Sequence, residues 1–214
     1  MAFNAQKYEH IIWDFNGTIL DDAWLCIEIL NGLLARRKMK TITAMEYQQT
    51  FDFPVIDYYR SLGFDFEKES FDSVAKEYIA EYEKRKHHCK PQTGITEIIE
   101  KIHHSKIKQS VLSAAEQNSL ENSLDSLNLT KYFEKIAGLD DYYAHSKIDI
   151  GKTLLDELNA KPCQTLLIGD TTHDFEVAEK IGIQCLLIPG GHQHKKRLLK
   201  CRAATCEQVT DIKF

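Results

Sequence analysis

Short apolar runs that stop at small or polar residues recur along the chain: Ile11-Ile12-Trp13, Ile107 to Leu112, Ile136 to Leu139, Thr165 to Ile168 and Cys185 to Ile188. Runs of this length with such boundaries predict strands. Between the later ones, apolar positions return at helical spacing, as Ile95, Ile98, Ile102, then Leu120, Leu124, Leu127, then Ile150, Leu154, Leu158, then Val177, Ile181. Each set draws one apolar stripe on a helix. Strands alternating with helices predict βαβ units, and therefore an α/β protein built on a parallel sheet.

The stretch from Leu20 to Cys89 breaks that rhythm. It carries helical patterns (Ala23, Ile27, Leu30, Leu34, then Phe71, Val74, Tyr78, Tyr82) and no convincing strand, with turns at Phe51-Asp52-Phe53-Pro54 and Leu62-Gly63-Phe64. The expected organisation is a core of residues 1–19 and 90–214 and a helical insert of residues 20–89. An insert placed after the first strand sits above the strand's C-terminal end, the edge where open α/β sheets bind ligands. It is placed to act as a lid. Its aromatics Phe51, Phe53, Tyr58, Tyr59, Phe64 and Phe66 are expected mostly in a helix-bundle core, where they also set specificity.

Composition narrows the partners. The chain has 214 residues, is 43% hydrophobic and 28% charged, and carries a formal net charge of −5. This is an ordinary globular composition, and its sign argues against a nucleic-acid or anionic-membrane surface. The basic run His194-Lys195-Lys196-Arg197 is expected on the solvated face of a terminal helix. No apolar run approaches the roughly 20 residues of a membrane span, and Met1 to Gln6 shows no secretory pattern. The six cysteines form no CxxC pair and are expected as reduced thiols of a cytoplasmic protein. A zinc site from Cys201, Cys206, His192 and His194 fits no common spacing. His87-His88 and His103-His104 are expected at exposed helix ends.

The predicted strands end in chemistry. The first delivers Asp14, Asn16, Gly17 and Thr18; the second ends at Ser113; the fourth ends in Gly169-Asp170, followed by Asp174. Lys147 precedes the helix that leads into the fourth. Carboxylates suit a hard cation, and a hydroxyl with an ammonium suits phosphate oxygens. Taken singly, Asp14 to Gly17 reads as a strand-to-turn cluster, Asp174 as a helix cap, Ser113 as a turn residue and Lys147 as a solvated lysine. Together and in order at one sheet edge, they point to phosphoryl transfer.

These residues resemble the four motifs of the haloacid dehalogenase superfamily of hydrolases, specifically the phosphoglycolate-phosphatase-like group with a helical cap. The motif DxDGT corresponds to Asp14-Phe15-Asn16-Gly17-Thr18, the second-motif Ser/Thr to Ser113, the third-motif Lys to Lys147, and GDxxxD to Gly169-Asp170 with Asp174. Asp140-Asp141 and His173 also look like residues of this group. The resemblance implies a Rossmann-like core with an inserted α-helical cap and a Mg²⁺-dependent phosphatase. Asp14 would be nucleophile and metal ligand, Asn16 a ligand through its backbone carbonyl, and Asp170 and Asp174 the remaining metal-site carboxylates. Ser113 and Lys147 would neutralise the phosphoryl group, with a backbone N–H from Gly17 or Thr18. The implied substrate is a small phosphorylated metabolite, taken by a monomer or homodimer with no nucleic acid and no membrane.

One position departs from the pattern. Asn16 stands where the superfamily carries a second aspartate, whose carboxyl protonates the leaving group and then activates water. A carboxamide does neither, and losing general acid–base catalysis costs on the order of 10²–10⁴ in rate. His173, Asp21 and Asp22 are candidate stand-ins. The alternative is a weakly active or non-catalytic phosphate-binding regulatory protein on the same fold. Other readings fit less well. Gly151-Lys152-Thr153 lacks the earlier glycine of a P-loop, where Ser146 stands, and a phospho-accepting receiver module would place its acceptor on a later strand. Haloacid dehalogenation wants no metal, and nothing in the insert identifies the sugar of a phosphomutase. Gly190-Gly191 is expected to be only a loop.

Overall fold

A computed structural model describes residues 3–139 and 147–214. Asp140-Asp141 and Ser146 lie outside the described residues. The main sheet has six strands in the order β6-β5-β2-β7-β8-β9, all parallel. Their spans are β2 His10–Trp13, β5 Lys108–Glu116, β6 Lys135–Leu139, β7 Thr165–Gly169, β8 Gln184–Leu187 and β9 Ala204–Thr205. The two central strands β2 and β7 are buried along their whole length, which is why both are almost continuously apolar.

Alternation along each strand sorts the core into two layers. Ile11, Trp13, Val111, Leu166 and Ile168 pack with α5 (Ile95–His103) and α6 (Gln117–Ser126) on one face. Ile12, Leu112, Leu167 and Leu187 pack with α7 (Lys147–Glu157) and α8 (Thr172–Ile181) on the other. Gly151 lies within α7, close against Leu112 and Ile181, so Gly151-Lys152-Thr153 belongs to helix packing.

Between β3 (Leu20–Asp21) and β4 (Lys90–Pro91) lie α1 (Ala23–Arg36), α2 (Ala44–Thr50), α3 (Val55–Ser61) and α4 (Phe71–Arg85). The two short strands pair antiparallel, with Leu20 opposite Pro91 and Asp21 opposite Lys90. They tie the ends of the helical segment together. Two-residue strands carry no periodicity, so this ribbon leaves no mark in the hydrophobic pattern. Helix α1 joins two clusters: Leu25 and Ile29 enter the sheet core, while Leu30, Leu33 and Leu34 pack with Tyr47, Tyr58, Tyr59 and Val74 in a third cluster.

Two expectations shift in detail. β5 runs on past Leu112 to Glu116, with its register against β6 shifting between those residues. Ser113 therefore lies inside the strand, not after it. The strand stops where the Glu116 side chain accepts from the N–H groups of Asn118 and Ser119 and caps α6. The basic run holds only α9 (Lys195–Leu198), and the chain continues through β9 to β10 (Ile212–Lys213), which pairs with β1 (Phe3–Asn4). His87, His88, His103 and His104 are exposed at helix ends. Among the described residues, no helix is long and apolar enough to cross a membrane.

His10 begins β2 in a buried position, with Nε2 3.0 Å from Ser110 Oγ. Burial pulls its imidazole down to about 4, against a weaker upward pull from Glu134. A histidine held neutral by the fold stabilises it fully above the unfolded value near 6.5, and that contribution is lost as pH falls through about 4. Chemical denaturation at pH 7, 6, 5 and 4 should show wild type losing stability relative to His10→Gln by on the order of 1 kcal/mol per pH unit below about 6.5. A stability difference between the two that does not change with pH would contradict the assignment.

Candidate active site

The carboxyl edge of the sheet gathers residues from four segments. The Asp14 N–H donates to Ile168 O at 2.8 Å, continuing the β2–β7 pairing past the strand. The chain then turns at Gly17, whose φ is +79°. A side chain there would be strained, and its Cβ would also lie 2.5 Å from Asp170 Oδ2 and from the His192 ring. The turn lets Thr18 Oγ1 donate to Asp170 Oδ1 at 2.8 Å. The N–H groups of Gly17 and Thr18 are committed inside the loop, Gly17 to Asp22 Oδ1 and Leu20 O, Thr18 to Phe15 O.

Asp174 occupies the third position of α8. Its Oδ2 accepts from Thr171 N and Oγ1 at 3.0 and 2.7 Å, while the N–H of Asp174 faces Thr171 Oγ1, so the residue does cap a helix. Its other oxygen, Oδ1, accepts from Lys147 Nζ at 2.6 Å. The same ammonium donates to Asp14 Oδ1. The buried lysine thus bridges a carboxylate from the end of β2 and one from the start of α8. Ser113, also buried, accepts from Ala115 N at 3.0 Å and lines the same space.

Oxygens of Asp14, Asp170 and Asp174 all lie within 4.8 Å of one another, and all three residues are buried. Burial pushes Asp14 up to about 8; Lys147 opposes the rise, and Asp174 and Asp170 add to it. Asp170 rises to about 6, again chiefly through burial. Burial alone would raise Asp174 too, but Lys147 and Thr171 hold it below the usual carboxylate range. Burial also works against the Lys147 ammonium, and Asp14 and Asp174 outweigh it to hold the proton more firmly. Three carboxylates against one ammonium leave negative charge uncompensated in a desolvated place. A hard divalent cation with oxygen ligands is the complement this donor set fits.

A second network adjoins the first. Asn16 Nδ2 donates to Asp22 Oδ2 at 2.8 Å and to Tyr82 OH at 2.7 Å, and Tyr82 OH donates to Asp22 Oδ2 at 2.8 Å. His192 Nε2 lies 3.2 Å from Asp22 Oδ1, and its Nδ1 is 2.9 Å from Tyr47 OH. Burial disfavours the imidazolium, yet Asp22 outweighs it and raises His192 to about 9. Asp22, Cys26 and His192 are close enough to suggest a further metal group, but the Asp22 oxygens are already filled by these donors.

Of the candidate stand-ins for the missing carboxyl, Asp21 is exposed on β3 and does not line the cavity. Asp22 is fully buried with its acceptors taken. His173 lines the cavity and stacks on Phe53 with ring centroids 4.5 Å apart.

His192 and Gly191 had no place in the site expected from sequence, and Gly190-Gly191 is more than a loop. His192 N donates to Asp170 Oδ2 at 2.6 Å, and a Cβ on Gly191 would sit 2.2 Å from that oxygen and 2.5 Å from Gly17 O. The paired glycines after a strand were the available signal. His192 belongs to this site, not to a zinc set with Cys201 and Cys206.

The haloacid dehalogenase-like hydrolase family model matches residues 11–188. The chain belongs to that family. A phosphoglycolate phosphatase from Aquifex aeolicus is 27% identical over 195 residues, covering 85% of each chain. A pyrophosphatase PpaX from Halalkalibacterium halodurans is 24% identical over 119 residues, covering 53% of this chain and 55% of that one. A haloacid dehalogenase-like protein from Streptococcus pneumoniae superposes with a TM-score of 0.80 at 19% identity, covering 93% of both chains, and shares the fold.

The close approach at Gly191 makes a measurable claim. Gly191→Ala should destabilise the protein by about 1–3 kcal/mol through overpacking against Asp170. Gly32→Ala, within α1 and meeting only Arg36 Nη1 at 3.5 Å, should stabilise it by roughly 0.5–1 kcal/mol. Thermal melts of the two variants check this; a Gly191→Ala melt at or above wild type would refute the contact.

Proposed function

We propose that the chain is a Mg²⁺-dependent phosphatase that hydrolyses a small phosphomonoester through an aspartyl-phosphate on Asp14. Support comes chiefly from one observation: Asp14, Lys147 and Asp174 converge, buried, at the floor of a cavity, with Asp170 buried beside them. The phosphatase names of the relatives point the same way. The residues that would hold the cation are Asp14, Asp170 and Asp174, with the backbone carbonyl of Asn16. When bound, Mg²⁺ supplies charge neutralisation for the phosphate oxygens.

The chain's own residues then divide the work. An Asp14 oxygen attacks phosphorus, forming an O–P bond as the ester P–O bond breaks, and the departing alkoxide takes a proton from water. Lys147 holds Asp14 in place and offers its ammonium to the phosphoryl oxygens, with Ser113 supplying a hydroxyl. Water then adds to phosphorus, the acyl-phosphate P–O bond breaks, and Asp14 returns as a carboxylate with inorganic phosphate. Asn16 neither gives nor takes the protons these steps need, and its amide is committed to Asp22 and Tyr82. Release of the phosphoryl group is the slow half of the cycle. All six cysteines are free thiols, in keeping with a cytoplasmic enzyme.

A phosphate-binding regulatory protein is the second reading, favoured by the same committed Asn16 amide. Turnover separates the two. With Mg²⁺ and p-nitrophenyl phosphate, acid quench and mass spectrometry should find phosphate on Asp14 of the wild type. Asn16→Asp should raise steady-state turnover by about 10²-fold or more while reducing the trapped fraction, and Asp14→Asn should abolish both. Rapid wild-type turnover with Asp14 never modified would rule out the intermediate. Binding without turnover in either wild type or Asn16→Asp would favour the regulatory reading.

A further inference from the structure

The cavity above Asp14 has a volume of about 320 Å³, within the lower range of small-molecule sites. Its floor holds Asp14, Ser113, Lys147 and Asp174, and its walls rise into α1–α4. Those walls are aromatic and aliphatic, with Tyr47, Phe51, Tyr58, Tyr59, Tyr78 and Ile79 prominent among them. Aside from Lys147, no lysine or arginine lines the cavity among the described residues.

The histidines and the other carboxylates there have partners, His173 Nδ1 lying 3.6 Å from Glu176 Oε2. His192 is held between Asp22 and Tyr47. Glu83 pairs with Lys86 at 2.7 Å and accepts from Ser119 at 2.6 Å. The four arginines of residues 20–89 are likewise engaged: Arg36 with Glu77, Arg37 with Glu69 and Glu77, Arg60 with Asp57, and Arg85 with Glu28. None of these four arginines lines the cavity.

A substrate such as phosphoglycolate carries a second anionic group beyond its phosphate. Seating that group against tyrosine and isoleucine faces strips its hydration and returns no counter-charge. An apolar ring loses nothing polar there and gains the aromatic surface. We propose that this site selects phosphomonoesters of uncharged, ring-bearing apolar alcohols and discriminates against esters whose leaving group carries a carboxylate or a second phosphate. The inference rests on the phosphatase reading for its chemistry, but the selectivity belongs to the walls and is testable without turnover.

Two arms keep the claims apart. In the first, calorimetry on the wild-type protein with Mg²⁺ compares 3-phenylpropylphosphonate with 3-phosphonopropionate, which cannot be hydrolysed and differ only beyond the phosphonate. The phenyl compound should bind at least tenfold more tightly. Equal affinity, or tighter binding of the carboxylate, overturns the inference whatever the catalytic result.

In the second arm, kcat/KM is measured for 2-phenylethyl phosphate and phosphoglycolate, both of which release aliphatic alcohols. The phenyl ester should be favoured by at least tenfold. Ile79→Arg, which places a cation in the half-buried wall of α4, should reverse the order. A binding preference without hydrolysis of either ester would leave the inference standing and remove the phosphatase reading. Hydrolysis that favours phosphoglycolate would remove the inference and keep that reading.

Discussion

The buried ammonium of Lys147, gripped by Asp14 and Asp174, is the contact on which the site depends. An unpaired charge at this depth would cost several kcal/mol, so the lysine needs both carboxylates. They need it equally, since Asp170 stands close by and adds repulsion. This ties the end of β2 and the starts of α7 and α8 into one unit at the carboxyl edge of the sheet. Asp170 is oriented separately, by Thr18 from the first loop and the His192 amide from the loop after β8. The three carboxylates are therefore fixed before any cation arrives, which is the preorganisation that phosphoryl transfer calls for.

The Asp22 network explains how the helical segment is held over that floor. Tyr82 of α4 and Tyr47 of α2 reach Asp22 and His192, so the segment is hydrogen-bonded to the same loops that build the site. Further ties run from Gln48 Nε2 to Gly191 O at 3.0 Å and from Gln193 Nε2 to Phe51 O at 3.0 Å. Asn16 is part of this arrangement. Its NH₂ group donates to the Asp22 carboxylate, a bond an ionised aspartate at position 16 would turn into repulsion. Asn16 thus makes a complementary contact with Asp22, the residue to which the helical segment is hydrogen-bonded.

Much of the core was legible because its causes are local. Ile11 to Trp13 and Leu166 to Ile168 are buried on both faces, so their apolar runs leave no other reading, and Asp14, Lys147, Asp170 and Asp174 stand at strand or helix ends that the pattern located. What escaped depends on pairing across the chain. Leu20–Asp21 meets Lys90–Pro91 over a long separation, and two residues show no periodicity. The apolar run Ile107 to Leu112 stops at Ser113, which reads as the residue after the strand, whereas Glu116 sets the true end. His192 reads as one histidine among nine until β8 carries its loop back to Asp170. Phe51, Tyr58 and Tyr59 are legible as core aromatics, which they are, but they also line the cavity; a sequence does not tell which side of a packed ring is left open.

Asp14 is proposed to accept a phosphoryl group at a cation-dependent site. Beryllofluoride, which forms a phosphoryl-like adduct on a carboxylate oxygen, tests it without requiring turnover. Fluorine NMR of the wild-type protein with Mg²⁺ and beryllofluoride should show bound resonances that vanish when Mg²⁺ is chelated and do not form in Asp14→Asn. Bound resonances that persist in Asp14→Asn, or none in the folded wild type with Mg²⁺ present, would contradict the account.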